Sequence, residues 1–150
     1  MKILIVEDEF DKREDIKSHI NEIIGDHVLI TECESLRSGL KKILTEGKFD
    51  LILLDMSMPN FDSEDDDGGG SKPESFAGRE IMAQMKLRGI MYPVVVITQY
   101  KSFEKGTVTL EELLDQLMEK YSDFFWGAIH YNSGIVGWKK DLTGFINRLT

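Results

Sequence analysis

The chain has 150 residues and a formal net charge of −9. That is enough for one domain with its own core, and too negative a surface to favour direct contact with a nucleic-acid backbone. A single cysteine, Cys33, excludes an internal disulfide and suits a reducing, cytoplasmic setting; the start has no signal-peptide layout, and no apolar run is long enough to cross a bilayer, so no membrane contact is expected.

Residues 2–6, with the apolar run Ile3-Leu4-Ile5-Val6, read as a strand, and the acids Glu7-Asp8-Glu9 follow it. Residues 11–24 read as a helix with Asp11 as N-cap and Ile16, Ile20, Ile23 and Ile24 on one face. Residues 28–31 are a short strand. Residues 35–44 are a helix with Leu36, Leu40, Ile43 and Leu44 facing inward. Residues 49–54 form a third strand, too uniformly apolar to be half exposed, and it runs directly into Asp55 and Met56-Ser57-Met58-Pro59.

Residues 60–75 carry Asp62-Ser63-Glu64-Asp65-Asp66-Asp67 and then Gly68-Gly69-Gly70. Acid and glycine of this kind bury nothing, so the segment reads as an exposed loop. Ser63 to Glu74 has an EF-hand-like layout. Serine in its first ligand position, and Pro73 before the final Glu, favour a solvated loop over a calcium site. The helix resumes over 76–87 with Ile81, Met82, Met85 and Leu87 inward. Residues 93–98 are a fourth strand ending in Thr98, and 99–108 are a loop. Thr109-Leu110-Glu111-Glu112 is a capping-box pattern opening a helix to about 121. Residues 127–131 form a fifth strand ending in Tyr131, and 138–149 a last helix. Strands alternating with helices predict a parallel sheet covered on both faces.

The chemistry gathers at strand ends, where open α/β sheets place their sites. Glu7, Asp8 and Asp55 are oxygen ligands suited to Mg²⁺ (or Mn²⁺), which needs one or two carboxylates and keeps several waters. A strand-end carboxylate beside such an ion can also act as a nucleophile toward phosphorus. Thr98 brings a hydroxyl to the same rim, and Tyr131 an amphipathic ring. The three histidines, His19, His27 and His130, show no metal-binding spacing. Cys33, Met82 and Met85 read as packing residues.

These stretches, Ile3 to Glu9, Leu51 to Pro59, Pro93 to Thr98 and Gly127 to Tyr131, resemble the receiver domain of two-component response regulators. The resemblance implies one flavodoxin-like domain over 1–150, a (βα)5 doubly wound sheet of strand order 2-1-3-4-5. It further implies that Asp55 accepts a phosphoryl group from a histidine kinase or phosphotransfer protein. Glu7, Asp8, Asp55 and the Ser57 carbonyl would hold Mg²⁺, and Thr98 and Tyr131 would form a switch pair. Such a protein is not an enzyme beyond self-phosphorylation and self-dephosphorylation. With no output domain expected after the last helix, it would signal to a downstream protein by contact.

Three features depart from the family. Receivers carry a lysine shortly after the fifth strand, and here that stretch, Asn132-Ser133-Gly134, holds none. Lys101 or Lys105, in the loop after Thr98, would be the substitute, approaching from another direction. The other departures are the acidic insertion at about 60–75 and the long loop and helix at about 99–125. Two rival readings follow: a phosphorylation-independent interaction module of the same fold, and a Mg²⁺-dependent phosphohydrolase. The second lacks the usual acid two residues after the nucleophile, where Ser57 stands.

Overall fold

The computed structural model describes residues 1–59, 61–62, 76–100, 102–103, 106 and 108–149. Most of the acidic insertion, the EF-hand-like layout, and both Lys101 and Lys105 lie outside the described residues. In chain order the elements are β1 (Lys2–Val6), α1 (Phe10–Ile24), β2 (Leu29–Cys33), α2 (Leu36–Thr45), β3 (Leu51–Leu54) and α3 (Ala77–Leu87). They continue with β4 (Val94–Thr98), β5 (Ser102–Phe103), β6 (Val108–Thr109), α4 (Leu110–Lys120), β7 (Phe125–His130) and α5 (Gly137–Arg148).

The main sheet is parallel, with order β2-β1-β3-β4-β7. With β7 as the fifth core strand, this is the expected 2-1-3-4-5 flavodoxin-like order. β5 and β6 pair antiparallel in a small hairpin of their own, where the sequence suggests only a loop. The strand period of two divides the core cleanly. Ile3, Ile5, Leu51, Leu53, Val95, Ile97 and Ile129 pack with Ile16 and Ile20 of α1 and Trp138, Leu142 and Ile146 of α5. Leu4, Val6, Ile52, Leu54, Val94 and Val96 pack on the other face with Ile43, Ile81, Met82, Met85, Leu113 and Leu117 from α2, α3 and α4.

Helix ends follow local chemistry. Ser35 caps α2 and exchanges bonds with Ser38 in a capping box, and the Thr109 hydroxyl accepts the Glu112 N–H at the start of α4. The N-cap of α1 is Glu9 rather than Asp11, so the helix begins at Phe10, closer to the strand end. Leu44 and Leu87, expected inward, are exposed, because each lies in the last turn of its helix, beyond the reach of the sheet. β7 starts two residues earlier than expected and carries an irregularity where Val94 pairs with Phe125 but Val95 with Gly127. Gly127 has φ 153°, and a β-carbon there would lie 2.9 Å from the Phe145 ring. Glycine therefore lets α5 sit close on the strand. Among the described residues no helix is long and apolar enough to cross a membrane.

Candidate functional site

The carboxyl ends of β1 and β3 are neighbours because Val6 pairs with Leu54. One residue further on, Glu7 and Asp55 both emerge toward α1, continuing the alternation that points Ile5 and Leu53 that way. Both are about 1% exposed, whereas Asp8 faces solvent. Glu7, Asp8 and Asp55 each offer one carboxylate oxygen, and these atoms all lie within 4.8 Å of one another. The structure thus brings three predicted ligands together. Ser57 sits two residues beyond Asp55, half buried at the same strand end.

Backbone bonds hold these acids in place. The Asp55 N–H donates to the Val6 carbonyl at 3.1 Å, and the Met56 N–H donates to Asp55 Oδ1 at 2.7 Å. Glu7 Oε2 accepts the Glu9 N–H at 3.2 Å, and the Glu7 carbonyl accepts Arg13 Nη1 at 2.7 Å. Burial, and then the Asp55 charge, push the Glu7 carboxyl well above the usual carboxylate range, with the Lys12 ammonium opposing them. Buried carboxylates crowded together favour a cation among them. The donor set, all oxygen with one solvent-facing member, fits a hard divalent ion that keeps waters.

Lys12 is the residue the strand-end motifs do not reveal. It is fully buried on α1, and its ammonium forms ion pairs with Glu7 Oε1 and, at 3.2 Å, with Asp55 Oδ2. The ammonium also donates to the Ile97 carbonyl at 2.8 Å and to Gln99 Oε1 at 3.0 Å. Its sequence signal is spacing: Lys12, Ile16 and Ile20 stand four residues apart, on the stripe that faces the sheet.

Thr98 is fully buried at the end of β4, and its hydroxyl accepts the Tyr100 N–H at 3.3 Å. Tyr131 follows β7 directly, and its N–H donates to the Thr98 carbonyl at 2.8 Å. The side chains of this expected switch pair nevertheless part. Thr98 shares the parity of Val94 and Val96, while Tyr131 packs in the cluster beneath α1 and α5. The Tyr131 ring lies 5.1 Å from the Trp138 ring and 5.7 Å from the Lys12 ammonium. Its hydroxyl donates to Asp15 Oδ2 at 2.6 Å, and burial raises its pKa strongly. Beside it, Glu9, Gln99, His130, Tyr131, Asn132 and Ser133 line a cleft of about 300 Å³.

A doubly wound sheet of this order, with a carboxylate triad at the β1 and β3 ends, defines the receiver class of signalling domains. No family model matches the chain. The Detocs response regulatory protein DtcB of Enterobacter cloacae is 32% identical over 151 residues, covering 99% of this chain and 100% of that protein. The chain belongs to the response regulators of two-component signalling. Among solved structures, the response regulator TrrA of Thermotoga maritima, in complex with Mg²⁺-BeF, superposes with a TM-score of 0.60 at 20% identity, covering 99% of this chain and 98% of that one. The phosphorylated cyanobacterial phytochrome response regulator RcpA gives a TM-score of 0.63 at 20% identity, covering 96% and 89%.

Proposed function

We propose that this protein is a phosphoacceptor receiver that takes a phosphoryl group on Asp55 and signals through protein contact. The observation that carries the reading is the convergence of Glu7, Asp8 and Asp55 oxygens within 4.8 Å at one strand-end rim. In the transfer, an Asp55 carboxylate oxygen attacks the phosphorus of a phosphohistidine on a histidine kinase or phosphotransfer protein. The P–N bond breaks, the phosphohistidine ring, already protonated on its other nitrogen, leaves as neutral imidazole with the bonding pair, and an acyl phosphate remains on Asp55. Glu7, Asp8 and Asp55, with the Ser57 carbonyl, would hold Mg²⁺ or Mn²⁺, which supplies positive charge to the phosphoryl oxygens.

The chain's own residues prepare this step. The Met56 N–H fixes Asp55 Oδ1, so the carboxylate is oriented before the donor arrives. Thr98 stands at the next strand end, where a hydroxyl can donate to a phosphoryl oxygen. Tyr131 lies on the α1 side, so relay through it would run by way of Lys12 and Asp15 rather than beside Thr98.

The rival interaction module of the same fold draws support from the lysine-free stretch after β7. One experiment separates them: labelling with radioactive acetyl phosphate in the presence and absence of Mg²⁺. The expected result is Mg²⁺-dependent label that disappears in Asp55→Asn. A folded protein that binds Mg²⁺ and takes up no label would overturn the reading in favour of the rival.

A further inference from the structure

A lysine with no exposed surface is uncommon, because desolvating an ammonium costs far more than burying an alkyl chain. The stripe that begins at Lys12 continues with Ile16 and Ile20, both fully buried. A methionine or leucine at position 12 would extend that stripe without the desolvation cost. Buried ion pairs are often no more stabilising than well-packed apolar side chains. Stability alone therefore does not account for a lysine here, whereas a role at the rim does.

The ammonium's partners describe that role. Among the described residues, its ion-pair and hydrogen-bond partners are oxygens at the carboxyl end of the sheet: Glu7 Oε1, Asp55 Oδ2, the Ile97 carbonyl and Gln99 Oε1. It lies 3.2 Å from a carboxylate oxygen of the acceptor, so a phosphoryl group formed there would arrive beside it. The stretch 131–137 after β7 holds no lysine, and Tyr131 closes over the Lys12 ammonium from that side. The cation is already present, but it enters from the first helix.

We propose that Lys12, delivered by α1, is the ammonium that binds the phosphoryl group on Asp55, in the place of the lysine that receivers carry after their last core strand. This rests on the phosphoacceptor reading above. In the unloaded protein Lys12 offsets the charges of Glu7 and Asp55. In the loaded protein it donates to a phosphoryl oxygen instead. Gln99 binds both Lys12 through Oε1 and Glu9 through Nε2, the latter at 3.1 Å. A shift of the ammonium is therefore transmitted to the segment after β4.

The test compares wild type with Lys12→Met, which fills the space of the lysine as far as Cε and removes the ammonium. Mg²⁺ affinity is measured by calorimetry, and beryllofluoride affinity by amide NMR with Mg²⁺ saturating. The expected result is Mg²⁺ affinity equal to or tighter than wild type, with beryllofluoride bound about 10- to 100-fold more weakly, the range for one hydrogen bond to a charged group. Equal beryllofluoride affinity in the two proteins would overturn the assignment while leaving the phosphoacceptor reading intact. A wild type that binds Mg²⁺ yet shows no beryllofluoride shifts around Asp55 would remove that reading, and the assignment with it. Should Lys12→Met fail to fold, the side-chain ¹⁵N resonance of Lys12 in wild type decides. Its movement on adding beryllofluoride to the Mg²⁺ form supports the proposal, and an unmoved resonance refutes it.

Discussion

Replacing Gly78 with alanine tests how tightly α3 is seated on the acceptor strand. Gly78 is the second residue of α3, and its N–H donates to the Met56 carbonyl at 3.2 Å. A β-carbon there would stand 2.6 Å from the Asp55 carbonyl oxygen, 2.9 Å from Met56 Sδ and 3.2 Å from Met56 Cα. The sulfur can swing aside. The Asp55 carbonyl is backbone, and its residue is tied to β1 through the Val6 carbonyl. The helix must therefore move, and the Gly78–Met56 bond opens.

Alanine gains about 1 kcal/mol in helix propensity. Against it stand overpacking of about 1–3 kcal/mol and a lost hydrogen bond of about 1 kcal/mol. The net expectation is a loss of about 1–3 kcal/mol, or roughly 3–10 °C in Tm for a domain of this size. Urea denaturation followed by circular dichroism measures it. Gly144→Ala in α5 serves as the control, since a β-carbon there meets nothing within 4 Å and should stabilise by up to about 1 kcal/mol. If Gly78→Ala melts at or above wild type while Gly144→Ala behaves as expected, the close approach of α3 to Asp55 is wrong.

Other expectations are simpler. Tyr131→Phe removes the hydroxyl that donates to Asp15 Oδ2 and should cost about 1–2 kcal/mol in urea denaturation, the bond being charge-assisted but near the surface. Mg²⁺ affinity should not change, and an unchanged denaturation midpoint would contradict the packing described. Burial pushes the Cys33 thiol from 9.0 up to about 11, so in the folded protein it should resist iodoacetamide at pH 8 while the urea-unfolded chain reacts fully. The sign of the linkage follows: the thiol's contribution to stability is intact below pH 9.0 and is lost as pH rises through about 11. Equal alkylation rates, folded and unfolded, would show that Cys33 is accessible.

The alternation of apolar runs with amphipathic stretches carries the sheet and its strand order. Val94-Val95-Val96-Ile97 could only be a strand covered on both sides, and it is. Glu7, Asp8 and Asp55 were readable for the same reason, since a carboxylate just past a buried strand has few other places to go. Local patterns were less secure at helix ends, where Leu44 and Leu87 continue the apolar spacing past the edge of the sheet.

Two features of the site depend on contacts between segments far apart in the chain. Lys12 reads as an ordinary polar residue near a helix start. It becomes a buried partner of Asp55 only because α1 lies over β3 and β4. Tyr131 stands one residue past its strand rather than ending it, and the irregular pairing at Val94 and Val95 and the packing of Trp138 set its ring toward α1 rather than beside Thr98. Which face a side chain takes after such an irregularity depends on strand register, and register is set by partners many residues away. Charge pattern and period therefore place the acids, while the packing of helix on sheet selects the cation that meets them.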